Sequence, residues 1–223
     1  MEGTSTYTGS YREYVEAIYE LAEEGLDTIQ ARIADWLGVS RASVSEMVRR
    51  MEGDGLVEVG DSITLTAEGR HLAEVVVRRH RLSERFLSEV LGLPWVQVHE
   101  EATVWEHMIS DEVEAAMWRL LGEAKTCPHG NPIPGAGYRP PPMEALSAVQ
   151  PGPGHPLERI SEELELERSI MGLLDREGIR PGADLEVTGT GEDGRVEVSV
   201  ERGKPVTLDG YVAERLFVRK SEA

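Results

Sequence analysis

The sequence predicts a mainly helical protein with a small β component: an N-terminal winged helix-turn-helix, a helical middle and a C-terminal β-barrel. Three observations carry this expectation. Residues 11–66 run helix, helix, glycine turn, helix, hairpin. Residues 68–121 keep an amphipathic pattern at helical spacing, and short alternating apolar stretches follow Leu185.

In the first region, residues 11–24 place Tyr14, Ala17, Ile18 and Leu21 on one face, with Gly25 positioned as a C-cap. A second helix is expected over 29–37. After Gly38-Val39, Ser40 is an N-cap for a third helix over 41–52, closed by Gly53-Asp54-Gly55. Residues 56–59 and 63–66 alternate around Gly60-Asp61, the pattern of a hairpin. A helical bundle with an incidental hairpin is the plainer alternative. Two long helices are then expected, over 68–91 and 95–121, broken at Gly92-Leu93-Pro94 into an αα-hairpin suited to pairing with its symmetry mate. The Pro- and Gly-rich stretch that ends at Pro156 reads as an extended linker. Residues 157–178 read as an acidic, helical segment, and 185–187, 196–200, 206–208 and 216–218 as strands of a small barrel.

Composition narrows the function classes. The 223 residues carry 23 Lys+Arg against 41 Asp+Glu, a net charge of −18, which is unlike a generic nucleic-acid binder. Such an excess of carboxylates serves solubility, or gathers in part around a hard cation. Cys127 is the single cysteine, so no disulfide forms within the chain. A start without the basic and apolar regions of a secretory signal, and the lack of any apolar run of membrane-spanning length, lead to the expectation of a cytoplasmic protein with no membrane partner. HExxH, G-x-S-x-G and phosphate-loop patterns are missing, which argues against an enzyme. Gly189-x-Gly191-x-x-Gly194 precedes a strand and reads as a hairpin loop.

The residues with ligand chemistry concentrate on the expected αα-hairpin. His80 and Glu84 are at i and i+4. On the following helix, His99, Thr103, Glu106 and His107 fall within a stripe about 100° wide. Glu13 and Glu16 share a face at i and i+3 near the N-terminus. Imidazole and carboxylate together suit Mn(II), Fe(II) or Zn(II). Each piece alone has an ordinary reading as a solvated or packed side chain; their coincidence on facing stripes favours a metal site. Cys127 and His129, two ligands in a proline-rich stretch, are expected to pack locally.

Five stretches, YVEAIYELAEEG, ARIADWLGVSRASVSEMVRRMEGDGLV, LTAEGRHLAEVVVRRHRLSERFL, VHEEATVWEHMISDEVE and CPHGNPIPG, together resemble the diphtheria-toxin-repressor family of iron- and manganese-dependent regulators. They span residues 11 to about 135, and HRLxE, VHxEA and WEHxxSDEVE are specific in combination. The C-terminal region is similar to the family's SH3-like domain through weaker motifs. The resemblance implies a winged helix-turn-helix domain over 1–72, a helical dimerisation and metal-binding domain over 73–140, a linker over 141–156 and an SH3-like domain over 157–223. It implies a homodimeric repressor on a palindromic double-stranded operator, with two metal ions per subunit. The ancillary position maps onto His80, Glu84 and His99, with help from an acidic run that includes Glu162, Glu163, Glu165 and Glu167, of which Glu165 and Glu167 are the chosen candidates. The primary position maps onto Glu106 and His107, with Glu13, Glu16 and Thr103 nearby. Iron-sensing relatives carry Met and Cys where Glu13 and Thr103 stand, so sulfur-free ligation favours Mn(II), then Fe(II).

The reading helix starts at Ser40. Arg41, Ala42, Ser43, Ser45 and Glu46 face outward early in it, while Arg32, Arg41, Arg49 and Arg50 are placed to hold phosphates. Between residues 28 and 59, four basic residues meet five acidic ones. Weak non-specific affinity follows, together with dependence on correct dimer geometry. The rivals are a winged-helix regulator with a non-metal ligand and a metal enzyme or storage protein.

Overall fold

The computed structural model describes residues 9–201 and 203–220. They form two compact units. One comprises the chain up to His80 with Glu106–Ile109, the other Arg81–Trp105 and the chain from Ser110 onward.

The first unit contains α1 (Gly9–Glu23), α2 (Gln30–Leu37), α3 (Arg41–Gly53), β1 (Val57–Val59) and β2 (Ile63–Leu65), and the first part of α4 (Ala67–Glu89). Tyr14, Val15, Ile18 and Leu21 of α1 bury their apolar stripe against Ile33 and Ala34 of α2 and against Val44, Val48 and Met51 of α3. Gly38 adopts φ 64°, a left-handed conformation that stops α2. Ser40 then caps α3 by accepting from the Ser43 amide at 3.1 Å. The antiparallel wing pairs Val57 with Leu65 and Val59 with Ile63. It is fastened at its base: Thr66 Oγ1 donates to the Gly55 carbonyl at 2.7 Å and accepts from the Gly69 amide at 3.1 Å. Helix α4 passes so close to this base that a Cβ on Gly69 would lie 2.0 Å from the Leu56 oxygen. The expected winged helix-turn-helix order is thus present.

The second unit holds the rest of α4, α5 (Val98–Trp105), α6 (Asp111–Leu120), β3 (Met143–Ala145), β4 (Gly152–Ile160), α7 (Glu162–Glu165), α8 (Arg168–Arg176), β5 (Asp184–Thr190), β6 (Val196–Val200), β7 (Val206–Leu208), α9 (Gly210–Ala213) and β8 (Leu216–Arg219). The strands form one antiparallel sheet in the order β3-β8-β4-β5-β6-β7. Leu157, Ile160, Leu185, Val187, Val196, Val198, Leu216 and Val218 pack from it against Leu164, Met171 and Leu174 of α7 and α8.

Three sequence expectations change here. The helix expected over 95–121 is two helices, because Ser110 accepts from the Val113 amide and Asp111, Glu112 and Glu114 fill the first turn of α6, a strong restart signal. The expected linker over 141–156 carries β3 and the start of β4, and β4 runs on to Ile160 into the segment expected to be helical, so strands appear well before the first one expected at 185. In place of a closed barrel the hydrogen bonding describes a six-stranded sheet with β3 and β7 as its edges among the described residues. The glycine string at 189–194 does join β5 to β6 as a hairpin.

Candidate metal centres

In the first unit, α1 presents the half-buried Glu16, α4 presents His80, and the turn after α5 presents Glu106 and His107. Glu16, His80 and Glu106 each place one ligand atom within 4.8 Å of the others. His80 Nδ1 is 2.5 Å from Glu106 Oε2, both side chains being buried. His107 Nε2 lies 3.4 Å from the other Glu106 oxygen. Three elements distant in sequence therefore converge on one carboxylate. Glu13 is exposed, a turn before Glu16 on α1. Because α5 ends at Trp105, Glu106 and His107 reach this place from a turn rather than from a continuous helical stripe.

In the second unit, the buried Glu84 of α4 is the hub. His99 Nδ1 lies 3.4 Å from its Oε1, and His129 Nδ1 lies 3.3 Å from the same atom. Glu165 of α7 faces both rings, 3.2 Å from His99 and 2.7 Å from His129. Glu162 Oε2 is 4.0 Å from His99, while its Oε1 accepts from Nε and Nη2 of the fully buried Arg81 at 3.0 and 2.8 Å. Cys127 joins Glu84 and His129 as a group of three potential donors, and His99, Glu162 and Glu165 form another.

The turn that delivers Cys127 and His129 is stapled to the sheet. The Ile160 amide donates to the His129 carbonyl at 2.9 Å, and the Cys127 amide donates to the Asn131 carbonyl at 2.8 Å. Gly130 sits at φ 92°, and a Cβ there would meet the Glu158 oxygen at 2.1 Å. Asn131, fully buried, donates through Nδ2 to Glu165 Oε1 at 2.7 Å and to the Ile160 carbonyl at 3.0 Å. Trp95 covers the other side: its ring centroid lies 4.7 Å from that of His129, and its Nε1 donates to the Pro128 carbonyl at 3.2 Å.

Electrostatics follow from this geometry. Burial pushes the Glu165 carboxyl above its ordinary range, reinforced by Glu162 and Glu84. Burial disfavours the His129 cation, yet Glu165 and Glu84 outweigh it and raise the imidazole well above its usual value. Burial, and then Glu84 and Glu165, also drive the Cys127 thiol upward. Buried Glu84, Glu162 and Glu165 outnumber the buried cations Arg81 and His129, and a divalent cation in place of the His129 proton would offset the carboxylate charge. Imidazole, carboxylate and thiol donors fit a transition-metal ion.

Relative to the sequence expectations, His80 faces Glu106 in the cluster of the first unit, while Glu84, His99 and Glu165 meet in the second. Thr103 is exposed and its hydroxyl donates to the His99 carbonyl at 3.0 Å, one turn back in α5. Glu167 is exposed at the N-cap of α8, outside the cluster, because α7 ends at Glu165 and the chain turns away. Cys127 and His129, expected only to pack locally, line the cluster of the second unit, as does Glu162. The CPHGN string was the available signal, but its partners Glu84 and Glu165 lie far off in sequence. Of the residues expected to read DNA, Arg32, Ser40, Arg41, Ala42, Ser43, Glu46, Arg49 and Arg50 are exposed and Ser45 is half-buried. Ser43 shares a 2.8 Å hydrogen bond with Ser40, and Arg50 pairs with Glu46.

Comparison with known proteins agrees with these features. Residues 7–62 match the model of the iron-dependent repressor N-terminal DNA-binding domain, and residues 66–135 match that of the iron-dependent repressor metal-binding and dimerisation domain. The diphtheria toxin repressor of Corynebacterium jeikeium is 39% identical, over 86% of this chain and 90% of its own length. The iron-dependent repressor IdeR of Mycobacterium bovis is 38% identical, over 93% and 95%. Among solved structures, a manganese-dependent transcriptional repressor in complex with manganese aligns with TM-score 0.85 at 33% identity, over 95% of this chain and all of that one. The chain belongs to the iron-dependent repressor family, and is a metal-dependent transcriptional repressor with a DNA-binding domain and a metal-binding and dimerisation domain.

Proposed function

We propose that this repressor senses manganese in the cytoplasm, with Fe(II) as the alternative metal, and binds a palindromic operator as a homodimer with two metal ions per subunit. The observation that carries the proposal is the convergence of Glu16, His80 and Glu106. Glu16 belongs to α1, whose opposite face forms the core under the reading helix α3. Holding Glu16 against His80 and Glu106 therefore holds the platform of the DNA-reading surface.

The first position is assigned to Glu16, His80, Glu106 and His107, with Glu13 close by on α1. The second is assigned to Glu84, His99, His129 and Glu165, with Cys127 and Glu162 at its margin. A bound divalent cation supplies the charge neutralisation that lets these carboxylates stay together. The protein's own residues do the rest. Asn131 and Arg81 orient Glu165 and Glu162 through hydrogen bonds, and Trp95 packs on His129. The first position, two carboxylates and two imidazoles without sulfur, suits Mn(II) or Fe(II) better than a softer ion.

The functional regions are read as a DNA-binding domain over 1–72, a metal-binding and dimerisation domain over 73–140, and a C-terminal SH3-like module whose sheet starts at Met143. Helices α5 and α6 leave Val104, Val113 and Leu120 exposed, apolar surface that suits the dimer contact. Repression without catalysis accounts for every cluster described. The test compares Mn(II), Fe(II) and Zn(II), each added to metal-free protein, for activation of binding to fragments of its own genome. Activation at lowest free concentration by Mn(II) supports the assignment; activation by Zn(II) alone contradicts it.

A further inference from the structure

The outward face of the reading helix carries an acid, Glu46, between Ala42 and the basic Arg49 and Arg50. Val44, Val48 and Met51 mark the buried side of α3. Glu46 lies within about 20° of the opposite direction, at the centre of the exposed face, with Ala42 a turn before it and Arg49 and Arg50 beside its C-terminal side. Its side chain is 63% exposed and is paired with Arg50, itself 59% exposed. A recognition helix in the major groove brings the outward-facing residues of its N-terminal half to the base edges, and Glu46 is the sixth of the 13 residues of α3. Glu46 thus meets bases, and it can only accept hydrogen bonds.

Only cytosine N4 and adenine N6 donate in the major groove. Beside adenine N6 stands N7, an acceptor that repels a carboxylate; cytosine presents no acceptor next to its amino group. We infer that Glu46 is a specificity-determining residue that reads a cytosine in each operator half-site, with Arg50 holding the carboxylate and offsetting its charge against the phosphates. The neighbouring positions cannot substitute for it: Ala42 offers a methyl group, and the Ser43 hydroxyl is shared with Ser40 at 2.8 Å. The inference rests on the reading of the protein as a metal-activated operator binder.

The test is selection of bound duplexes from a randomised library by the full-length protein saturated with Mn(II), using wild type, Glu46→Gln and Glu46→Ala. The wild type should fix cytosine at one position of each half-site. Glu46→Gln should move that preference to adenine, whose N6 and N7 a carboxamide contacts together, by roughly 10- to 100-fold, and leave the other positions alone. Glu46→Ala should make that position indifferent. Both substitutions are on the surface, and unchanged Mn(II) binding and melting temperature check that the fold is kept. Identical profiles for all three proteins, or a wild-type site with no fixed cytosine, overturn the base assignment while leaving the metal-activated repressor intact. No enrichment by the Mn(II)-loaded wild type overturns the operator-binding reading itself, and the base assignment with it.

Discussion

Asn131 shows how much one uncharged side chain contributes to a charged site. Its amide donates to Glu165 and to the Ile160 carbonyl from a fully buried position, so the carboxylate is aimed before any ion arrives. Asn131→Ala is expected to weaken Mn(II) affinity at the cluster of the second unit by about 10- to 100-fold, as loss of an orienting partner does. Calorimetric titration measures this, and an unchanged affinity would show Glu165 to be held by other means. Protons compete for the same donors. Glu165 and His129 have folded values raised above their ordinary 4.5 and 6.5, so the folded metal-free protein binds protons that the unfolded chain releases. Their contribution to stability is whole below those ordinary values and is lost as pH rises through the raised folded values. Urea unfolding of the metal-free protein should accordingly show stability falling over that interval, and saturating Mn(II) should flatten the fall. A profile that climbs over the same interval would contradict the cluster's charge balance.

At the scale of elements, packing limits are set by two glycines. Gly69 lets α4 lie on the base of the wing, and Gly69→Ala would drive its Cβ into the Leu56 carbonyl. The expected loss is about 1–3 kcal/mol of stability, read from denaturant midpoints. Gly130 combines a left-handed φ with contact against β4, so Gly130→Ala should displace His129 and Asn131 and lower metal affinity as well as melting temperature. A variant with wild-type metal affinity would separate that turn from the site. The helices and wing of the first unit were legible because α1 and α3 keep clean helical periodicity and because Gly38-Val39-Ser40 marks a stop followed by a cap. The strand β4 was not. Pro153 and Pro156 lack amide donors, Gly152 and Gly154 interrupt the pattern, and register shifts lie between Gly152 and His155 and again between Leu157 and Arg159. Such a strand has no period-2 alternation to read.

At the scale of the whole molecule, the same contrast explains which candidate metal ligands the sequence disclosed. His80 with Glu84, and Glu106 with His107, are short-range pairs, so spacing alone drew attention to them. Cys127 and His129 look like a local turn until the chain returns from β4 into α7 and places Glu165 2.7 Å from the His129 ring. The grouping of His80 with Glu106 likewise depends on where α5 ends, which a continuous periodic pattern conceals. Both clusters bring carboxylates and imidazoles together from distant segments, and a cation bound among them would offset the carboxylate charge. On the proposed reading, metal bound at these clusters turns on DNA binding. The measurement that tests it most directly is affinity for a selected operator duplex at controlled free Mn(II), for wild type and for Glu106→Ala and His107→Ala. Tight binding by the wild type in Mn(II), loss of that binding in chelator, and little response to Mn(II) from either variant are expected. Equal affinity with Mn(II) and with chelator, or variants that respond as the wild type does, would contradict it.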